Sequence, residues 1–453
     1  MRIVTGESVG DLLSRQWLEP VRGVPSDNCS RSSRSMVLTT FLVAAARFGA
    51  SLGSLGLIFI VSRLYPIEAV GAVSLMIASS IGISTLARLG FDVSAIKYLP
   101  PWIAAGRNDQ AAMFLARFAV RTVAILVLAL TAFWVFQDHT GIARLSTAIM
   151  ACALTVLAFL SALVKSALRP VAAAAFEPGY SLLVSAAVLV ALHVSSDTSP
   201  STVVIQNVVA GVVATYAVIG CLAVAIAGRT GRYPTQKLEH SVDYRAINIE
   251  SVNFFLIAVV GYFYSQGYVW LAGQYFDLAT VGFVAVVARL AFGVNFSLMI
   301  ANAIYNPRFA IALNRGSATA VEVLAGRSLR TMVSLSLIPG IVLICLPQWV
   351  LGLFNIESDT AETCLVLMSF AQVVNVVTGN AASILNLGGE EKVVRNNAIL
   401  HLGVALAMTW SLVPHFGVIA LVGSCALAIA SQNVMLVAVL WRRRRISLYR
   451  YAF

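Results

Sequence analysis

Hydrophobic residues form long stretches along most of this chain, from Val37 to Leu440, with short polar gaps between them. Most stretches have the roughly 20 residues that an α-helix needs to cross about 30 Å of hydrocarbon. Backbone groups in lipid must be hydrogen-bonded within one segment, and the stretches lack the alternation of barrel strands. We therefore predict an all-α polytopic membrane protein with about twelve spans, at 37–61, 69–87, 112–136, 147–164, 171–194, 203–227, 249–273, 279–304, 331–354, 363–386, 396–414 and 416–440.

The positively charged residues are concentrated in every second gap between the apolar stretches. All but four of the 31 lysines and arginines lie in the two terminal segments or at every second gap. The intervening gaps hold only Arg63 and Arg144. Because positive residues accumulate on the cytoplasmic side, we predict that both termini are cytoplasmic. The other two exceptions, Arg47 and Arg289, fall inside predicted spans.

Composition agrees with a membrane protein and excludes other classes. The mean hydropathy is +0.86 and only 11% of residues are charged, so a soluble surface cannot be built. The net charge of +11 is spread over the predicted cytoplasmic gaps as topology requires, so we expect no nucleic-acid partner. The six cysteines have no CxxC spacing and the five histidines no paired spacing, so we expect no metal or cofactor.

The chain contains an internal repeat. The segment 64–73, which follows the first span, is echoed by 275–284 after the seventh, and each carries a Val-Gly pair. The segments 117–122 and 327–331 form a second echo, with one gap. Six helices that repeat as six are parallel repeats about an axis along the membrane normal. The predicted organisation is a cytoplasmic tail, two six-helix bundles joined by a cytoplasmic linker, and a basic cytoplasmic tail: 1–36, 37–227, 228–248, 249–440 and 441–453.

The motifs and their order resemble the polysaccharide flippases of the multidrug/oligosaccharidyl-lipid/polysaccharide (MOP) exporter superfamily. The similarity covers about 37 to 440 and is carried by Val70-Gly71, Leu89-Gly90, Pro100-Pro101, Val281-Gly282, Ala288-Arg289-Leu290, Pro307, Gly388-Gly389 and Glu391-Lys392. The resemblance implies a V-shaped, MATE-like pair of bundles that opens alternately to the two sides of the bacterial cytoplasmic membrane. Its substrate would be a lipid-linked oligosaccharide on a polyprenyl diphosphate, flipped outward for cell-surface polysaccharide biosynthesis. Membrane lipids, a glycan polymerase or glycosyltransferases would be its partners.

Arg47 and Arg289 are the first candidate substrate-binding residues. Each lies about ten residues into its span, roughly 15 Å along the helix, which places it near the middle of the bilayer. A central arginine costs at least about 2.5 kcal/mol, so it should face the bundle interior or water. Planar guanidinium groups bind diphosphate oxygens in a bidentate way. The alternative is that these arginines pair with an intramembrane acid or helix-end carbonyls and hold helices together.

The seventh span supplies the remaining candidates, which are polar. Asn253, Tyr262, Tyr264 and Gln266 could hydrogen-bond sugar hydroxyls in a central cavity, or simply bond neighbouring helices. Many members of the family carry an acidic residue in this helix, and its absence here puts ion coupling through it in doubt. In the fifth span, a Glu177-Pro178-Gly179 break either exposes backbone groups toward a site or is a kink near the interface.

Two other functions compete with a flippase. A cation-coupled multidrug exporter of the same superfamily would be expected to use membrane carboxylates, which are nearly absent from the spans. A membrane enzyme would need a general base and usually a sizeable outward loop, whereas the longest predicted outward gaps have about ten residues. We therefore expect a transporter and not an enzyme.

Overall fold

The computed structural model of the protein describes residues 29–104, 108–136, 141–167, 170–195, 200–228 and 244–452. Within these ranges all of the regular structure is helical, and the prediction of an all-α fold is confirmed. The first half of the chain forms α1 (Cys29–Leu64), α2 (Ile67–Arg88), α3 (Phe91–Ala104), α4 (Asn108–Phe136), α5 (Gly141–Ser166), α6 (Pro170–Ala174), α7 (Pro178–Ser195) and α8 (Thr202–Gly228).

The second half has more interruptions than the hydropathy pattern indicates. Its helices are α9 (Tyr244–Tyr262), a π-helical turn at Phe263–Gly267, α10 (Tyr268–Tyr275), α11 (Leu278–Val294), α12 (Phe296–Asn314), α13 (Ala318–Cys345), α14 (Pro347–Gly352), α15 (Asp359–Thr378), α16 (Asn380–Leu387) and α17 (Glu391–Arg444). Consecutive pieces such as α11 and α12 form one predicted span that is broken once inside the membrane.

Ten helical segments of the described chain are long and apolar enough to cross a bilayer. Phe48–Leu64 of α1 is a shorter apolar segment, and the 54-residue α17 holds the last two predicted spans on either side of a kink at Gly417, where φ is 59°. Pro414 lies just before this kink, and its missing N–H and its ring weaken the helix there. The count of twelve spans and the orientation stay predictions.

The described helices do not begin and end at the predicted domain boundaries, and those boundaries stay predictions. Residues 29–36, expected in the N-terminal tail, already belong to α1, while 1–28 lie outside the described residues. Most of the expected linker, 229–243, is also outside them, and α9 begins at Tyr244. At the C-terminus the helix continues to Arg444, and the following residues pack back onto the protein, with Ile446, Leu448 and Ala452 buried.

The two halves meet through α2 and α11. At the end predicted to face outward, Gly71 and Gly282 let the two backbones approach closely. Beside them, Arg63 donates a hydrogen bond to Asn355 at 2.9 Å, and the Asn355 amide donates to the Ser62 carbonyl at 3.1 Å. These contacts join the two halves at this end.

At the opposite end, α9 contacts the first half. Gly90, with φ of +74°, packs against the backbone of Ser251. The contact is so close that a Cβ added to Gly90 would lie 2.3 Å from the Ser251 carbonyl oxygen. The Ser94 and Ser251 hydroxyls are 2.7 Å apart. Lys97 forms an ion pair with Glu250, and the Tyr98 hydroxyl donates to the same carboxylate. The start of α9 is thus held to α3 by polar contacts.

Candidate functional site

Arg289 lies in the middle of the membrane-spanning part of α11. It follows Leu278 by eleven residues, or about 16 Å of helical rise, which agrees with the predicted depth. Its neighbours along α11 are mostly buried, but Arg289 itself is only partly buried and lines a cavity. The side chain therefore points into the protein and not into lipid.

Gln266 holds the Arg289 guanidinium. With the Gln266 amide turned so that its oxygen faces the arginine, Nη1 and Nη2 of Arg289 both donate to that oxygen at 2.9 Å. Gln266 is buried and lies in the π-helical turn. A π-turn inserts an extra residue per turn and so rotates the following side chains. Two of the candidates predicted from the sequence, Gln266 and Arg289, are thus brought together.

The cavity that Arg289 lines has a volume of about 160 Å³. Every other described residue lining it belongs to the first half, so Arg289 reaches across the boundary between the halves. Polar groups come from Ser51 and Ser54 of α1 and from Glu177, which precedes α7. The other residues that line the cavity are apolar: Ala50, Ile77, Ile81, Met150, Leu154, Pro178, Gly179 and Leu182.

Close packing of α1 on α7 shapes one wall of this cavity. A Cβ on Gly179 would lie 1.7 Å from the Ala50 carbonyl oxygen, and one on Gly53 would lie 2.1 Å from that of Gly179. The Tyr180 hydroxyl donates to the Ala46 carbonyl at 2.6 Å and fixes the same contact. The Glu177-Pro178-Gly179 break thus packs against α1 and lines the cavity, and both interpretations of it stay predictions.

No carboxylate among the described residues forms an ion pair with Arg289. Gln266 is neutral, so it orients the guanidinium without cancelling its charge. Its single oxygen occupies only two of the five N–H donors that an arginine has. The arrangement leaves a fixed positive charge with free hydrogen-bonding capacity beside a cavity, which suits an anionic group.

The other predicted site residues have different surroundings. Arg47 lies in α1, one turn before Ser51, but its side chain is outside the described residues. Tyr262 packs against Gly82 of α2, where a Cβ would be 2.9 Å from the Tyr262 hydroxyl. The hydroxyl of Tyr264 is buried and has no hydrogen-bond partner among the described residues.

Asn253 lies apart from the Arg289 site. Its side-chain oxygen accepts a hydrogen bond from Arg395 of α17 at 2.6 Å. It precedes Gln266 by thirteen residues, which is about 20 Å along a helix. The structure does not bring Asn253 together with Arg289.

Sequence reasoning did not single out the serines at positions 51 and 54. Serines are frequent in membrane helices, so their polarity alone carries little information. Their spacing from Arg47 along α1 was the available signal, since residues three to four apart share a helix face.

Comparison with solved structures identifies the fold. The chain is similar to an inward-facing MATE-family multidrug resistance transporter of the MOP superfamily, with TM-score 0.63 and 14% identity over 89% of this chain and 98% of that one. It is also similar to the MATE multidrug transporter DinF-BH in complex with R6G, with TM-score 0.61 and 12% identity over 94% and 98% of the two chains.

A third similar structure is a MOP superfamily transporter from Pyrococcus furiosus, for which the reverse polarity of the binding pocket suggests a different function. Its TM-score is 0.58, with 14% identity over 91% of this chain and 95% of that one. No protein-family model and no curated protein matches the sequence. The chain therefore has a MATE-like fold, and at these identities the likeness shows the fold alone.

Proposed function

We propose that this protein is a membrane transporter that flips a lipid-linked oligosaccharide, carried on a polyprenyl diphosphate, by alternating access. The observation that carries the proposal is Arg289, a mid-membrane guanidinium with a neutral partner and no described carboxylate in contact with it. A partly buried, fixed cation of this kind binds phosphate oxygens and repels organic cations.

A diphosphate sugar needs such a site to cross the membrane. Each unpaired hydroxyl costs a few kcal/mol in hydrocarbon, and the ionised phosphates cost far more. Two serines, Ser51 and Ser54, also line the cavity beside Arg289. At about 160 Å³ it is smaller than the roughly 300–1,000 Å³ of ordinary ligand pockets. In this conformation it therefore accommodates a headgroup-sized fragment and not a whole glycan.

The contacts that join the two halves at the predicted outward end support alternating access. Contacts of α2 with α11 and of Arg63 with Asn355 separate the cavity from that side. For substrate to leave outward, these contacts must open while those of α9 with α3 stay closed. The Arg289 side chain, which comes from the second half and reaches into a cavity of the first, would move as the halves separate.

Multidrug export is the second candidate function. Two of the structures with the same fold are multidrug transporters, and Glu177 lines the cavity, where a carboxylate would attract an organic cation. The transporter with reversed pocket polarity is a precedent within this fold for a pocket of different charge. Charge preference at the cavity therefore separates the two functions.

The test is translocation in proteoliposomes that contain the purified full-length protein. Fluorescent polyprenyl-diphosphate oligosaccharide and the cationic dye rhodamine 6G serve as the two substrates. We expect the lipid to be flipped, Arg289→Gln to abolish flipping, and Gln266→Glu to reduce it at least about tenfold, because a carboxylate at this position neutralises Arg289. Gln206→Asn is the control variant, because it removes a buried amide hydrogen bond to the Ala72 carbonyl in the core of the first half, away from Arg289. Flipping by this variant should stay close to wild type.

Dye export without lipid flipping would replace this proposal with multidrug export. Lipid flipping that continues unchanged in both the Arg289→Gln and the Gln266→Glu protein would leave the flippase function standing but remove Arg289 from it.

A further inference from the structure

A cluster of three carboxamides lies on the cytoplasmic side of Arg289 in the predicted orientation. The Asn295 amide donates to the side-chain oxygen of Gln372 at 2.7 Å. The Asn375 amide donates to the side-chain oxygen of Asn295 at 2.7 Å and to that of Gln372 at 3.3 Å. Among the described residues, the side-chain nitrogen of Gln372 and the side-chain oxygen of Asn375 have no hydrogen-bond partner.

Two helices are interrupted beside this cluster. Asn295 is the residue between α11 and α12, and Gly379 is the residue between α15 and α16. The breaks pack together, since a Cβ on Gly379 would lie 2.4 Å from a methyl carbon of Leu298. Asn295 and Gly379 keep right-handed helical φ and ψ, so each helix continues through its break with only a local change in backbone hydrogen bonding.

The cluster also borders the seam between the two halves. Phe296, next to Asn295, has its ring centroid 4.2 Å from that of Phe48 of α1, and Phe48 is 41% exposed. Asn295 and Asn375 are themselves only partly buried. Separation of α1 from α12 would therefore open a surface with aromatic rings and amides side by side.

Polar groups continue from the cluster along α12. The Ser383 hydroxyl donates to the Asn302 side-chain oxygen at 3.1 Å, two turns beyond Asn295. One turn further, the side-chain oxygen of Asn306 is buried and has no partner among the described residues. Asn295, Asn302 and Asn306 fall on one side of the helix at spacings of seven and four residues.

We propose that these carboxamides bind the sugar adjacent to the diphosphate of the transported lipid. The inference rests on the proposed function and names the second part of its binding site. Asn295 follows Arg289 by six residues, about 9 Å along the helix and about 120° around it. Helix α1 borders both places, through Phe48 at the cluster and Ser51 at the Arg289 cavity, so a lipid whose phosphate is at Arg289 reaches the cluster along α1.

Amide groups are suited to a sugar because each both donates and accepts hydrogen bonds, as a hydroxyl does. The described residues contain no group of three or more His, Cys, Asp or Glu side chains that would bind a metal ion. The hydrogen bonds that join the three carboxamides involve no ionised group. A neutral polyol therefore fits the cluster better than a cation does.

Binding measurements on the purified full-length protein test this assignment. The two probes are polyprenyl diphosphate and the same lipid carrying one N-acetylhexosamine. Wild-type protein should bind the glycosylated probe more tightly. Asn375→Leu should weaken binding of the glycosylated probe about tenfold, the equivalent of one or two net hydrogen bonds, and leave the bare lipid unaffected.

Three further variants make the result interpretable. Asn302→Ala repeats the test away from the triad, in case Asn375→Leu does not fold. Asn397→Leu removes a buried carboxamide that bonds the Gln432 carbonyl on α17, and it should change neither affinity. Arg289→Gln should weaken binding of both probes.

The outcomes distinguish the two proposals. If Asn375→Leu and Asn302→Ala change both affinities equally, or neither, the carboxamides are structural and the assignment of a sugar site is overturned. If wild-type protein binds the two probes equally, the sugar site is likewise wrong, although phosphate binding stands. If Arg289→Gln leaves both affinities unchanged, the proposed diphosphate site itself fails.

Discussion

Gly71 and Gly282 pack against each other in a reciprocal way. A Cβ on Gly71 would lie 1.9 Å from the Leu278 carbonyl oxygen, and a Cβ on Gly282 would lie 2.4 Å from that of Ile67. Each glycine thus contacts the carbonyl four residues before the other one. This reciprocity is what a two-fold axis between equivalent elements produces, and it supports the predicted repeat of 64–73 and 275–284.

Substitution of Gly71 should open this contact. We expect Gly71→Ala to lower the free energy of unfolding by about 1–3 kcal/mol, because a backbone carbonyl cannot move aside as a side chain can. Gly211→Ala is the matched control, since no heavy atom lies within 4 Å of its added Cβ and alanine favours the helix. The melting temperatures of the two variants in detergent are compared. Equal melting temperatures for the two variants would mean that α2 and α11 can move apart at Gly71 without loss of stability.

The ion pair between Lys97 and Glu250 should affect the rate of transport. It joins α3 of the first half to α9 at the predicted cytoplasmic end. Glu250→Lys should slow lipid flipping about threefold to fivefold, because like charges weaken the closed state by about 1 kcal/mol. The exchange Lys97→Glu with Glu250→Lys should restore most of the rate.

The pair Arg88 and Asp92 offers a control for that measurement. Its atoms are 2.6 Å apart, but both residues belong to the first half. Asp92→Asn should therefore leave the flipping rate close to wild type. A charge exchange at 97 and 250 that restores nothing would show that attraction between these residues plays no part in closure.

The C-terminal segment 446–452 should stabilise the second half. The Glu322 carboxylate is 4% exposed and accepts the backbone N–H of Ser447 at 2.9 Å, and Arg450 lies 3.4 Å from its other oxygen. Ile446 and Leu448 are buried beside it, each worth about 1.5–3 kcal/mol. Truncation after Arg445 should lower the melting temperature markedly.

Glu322→Gln isolates the charge in that contact. It keeps one acceptor for Ser447 but loses the ion pair with Arg450, so we expect a loss of about 1–2 kcal/mol, smaller than that from truncation. The more exposed Glu390, paired with Arg443 at 2.7 Å, gives the comparison, and Glu390→Gln should cost less than about 1 kcal/mol. Unchanged melting on truncation would show that the docked segment contributes nothing.

Asp277 should add an acid-sensitive contribution to stability. It caps α11, and hydrogen bonds from the side chain and backbone N–H of Thr280 lower the pKa of its carboxyl. A lowered folded-state pKa stabilises the protein above the unfolded value near 4, and this stabilisation is lost as the pH falls through the folded value.

Asp277→Asn tests that contribution, because asparagine can still cap the helix but does not titrate. The melting temperature is measured at pH 7 and pH 3 for both proteins. The variant should be less stable than wild type at pH 7, and the difference between the two proteins should be smaller at pH 3. A difference that is the same at both pH values would rule out titration of Asp277 as its cause.

Hydropathy along the chain was sufficient to predict an all-helical membrane protein, because the bilayer thickness sets the length of an apolar helix. It also placed a boundary between residues 414 and 416, close to the kink at Gly417. The family resemblance implied the MATE-like fold that comparison with solved structures supports. All of these features depend on residues that are near in sequence.

Only the tertiary structure decided which side chains meet. The π-turn at Phe263–Gly267 rotates Gln266 toward Arg289, and the break at Asn295 brings its amide to Gln372, which is 77 residues away. Asn253, chosen on polarity alone, meets Arg395. Hydropathy gives the depth of a residue in the bilayer but not the rotation of its helix, and helix rotation is set by packing between helices that are distant in the chain.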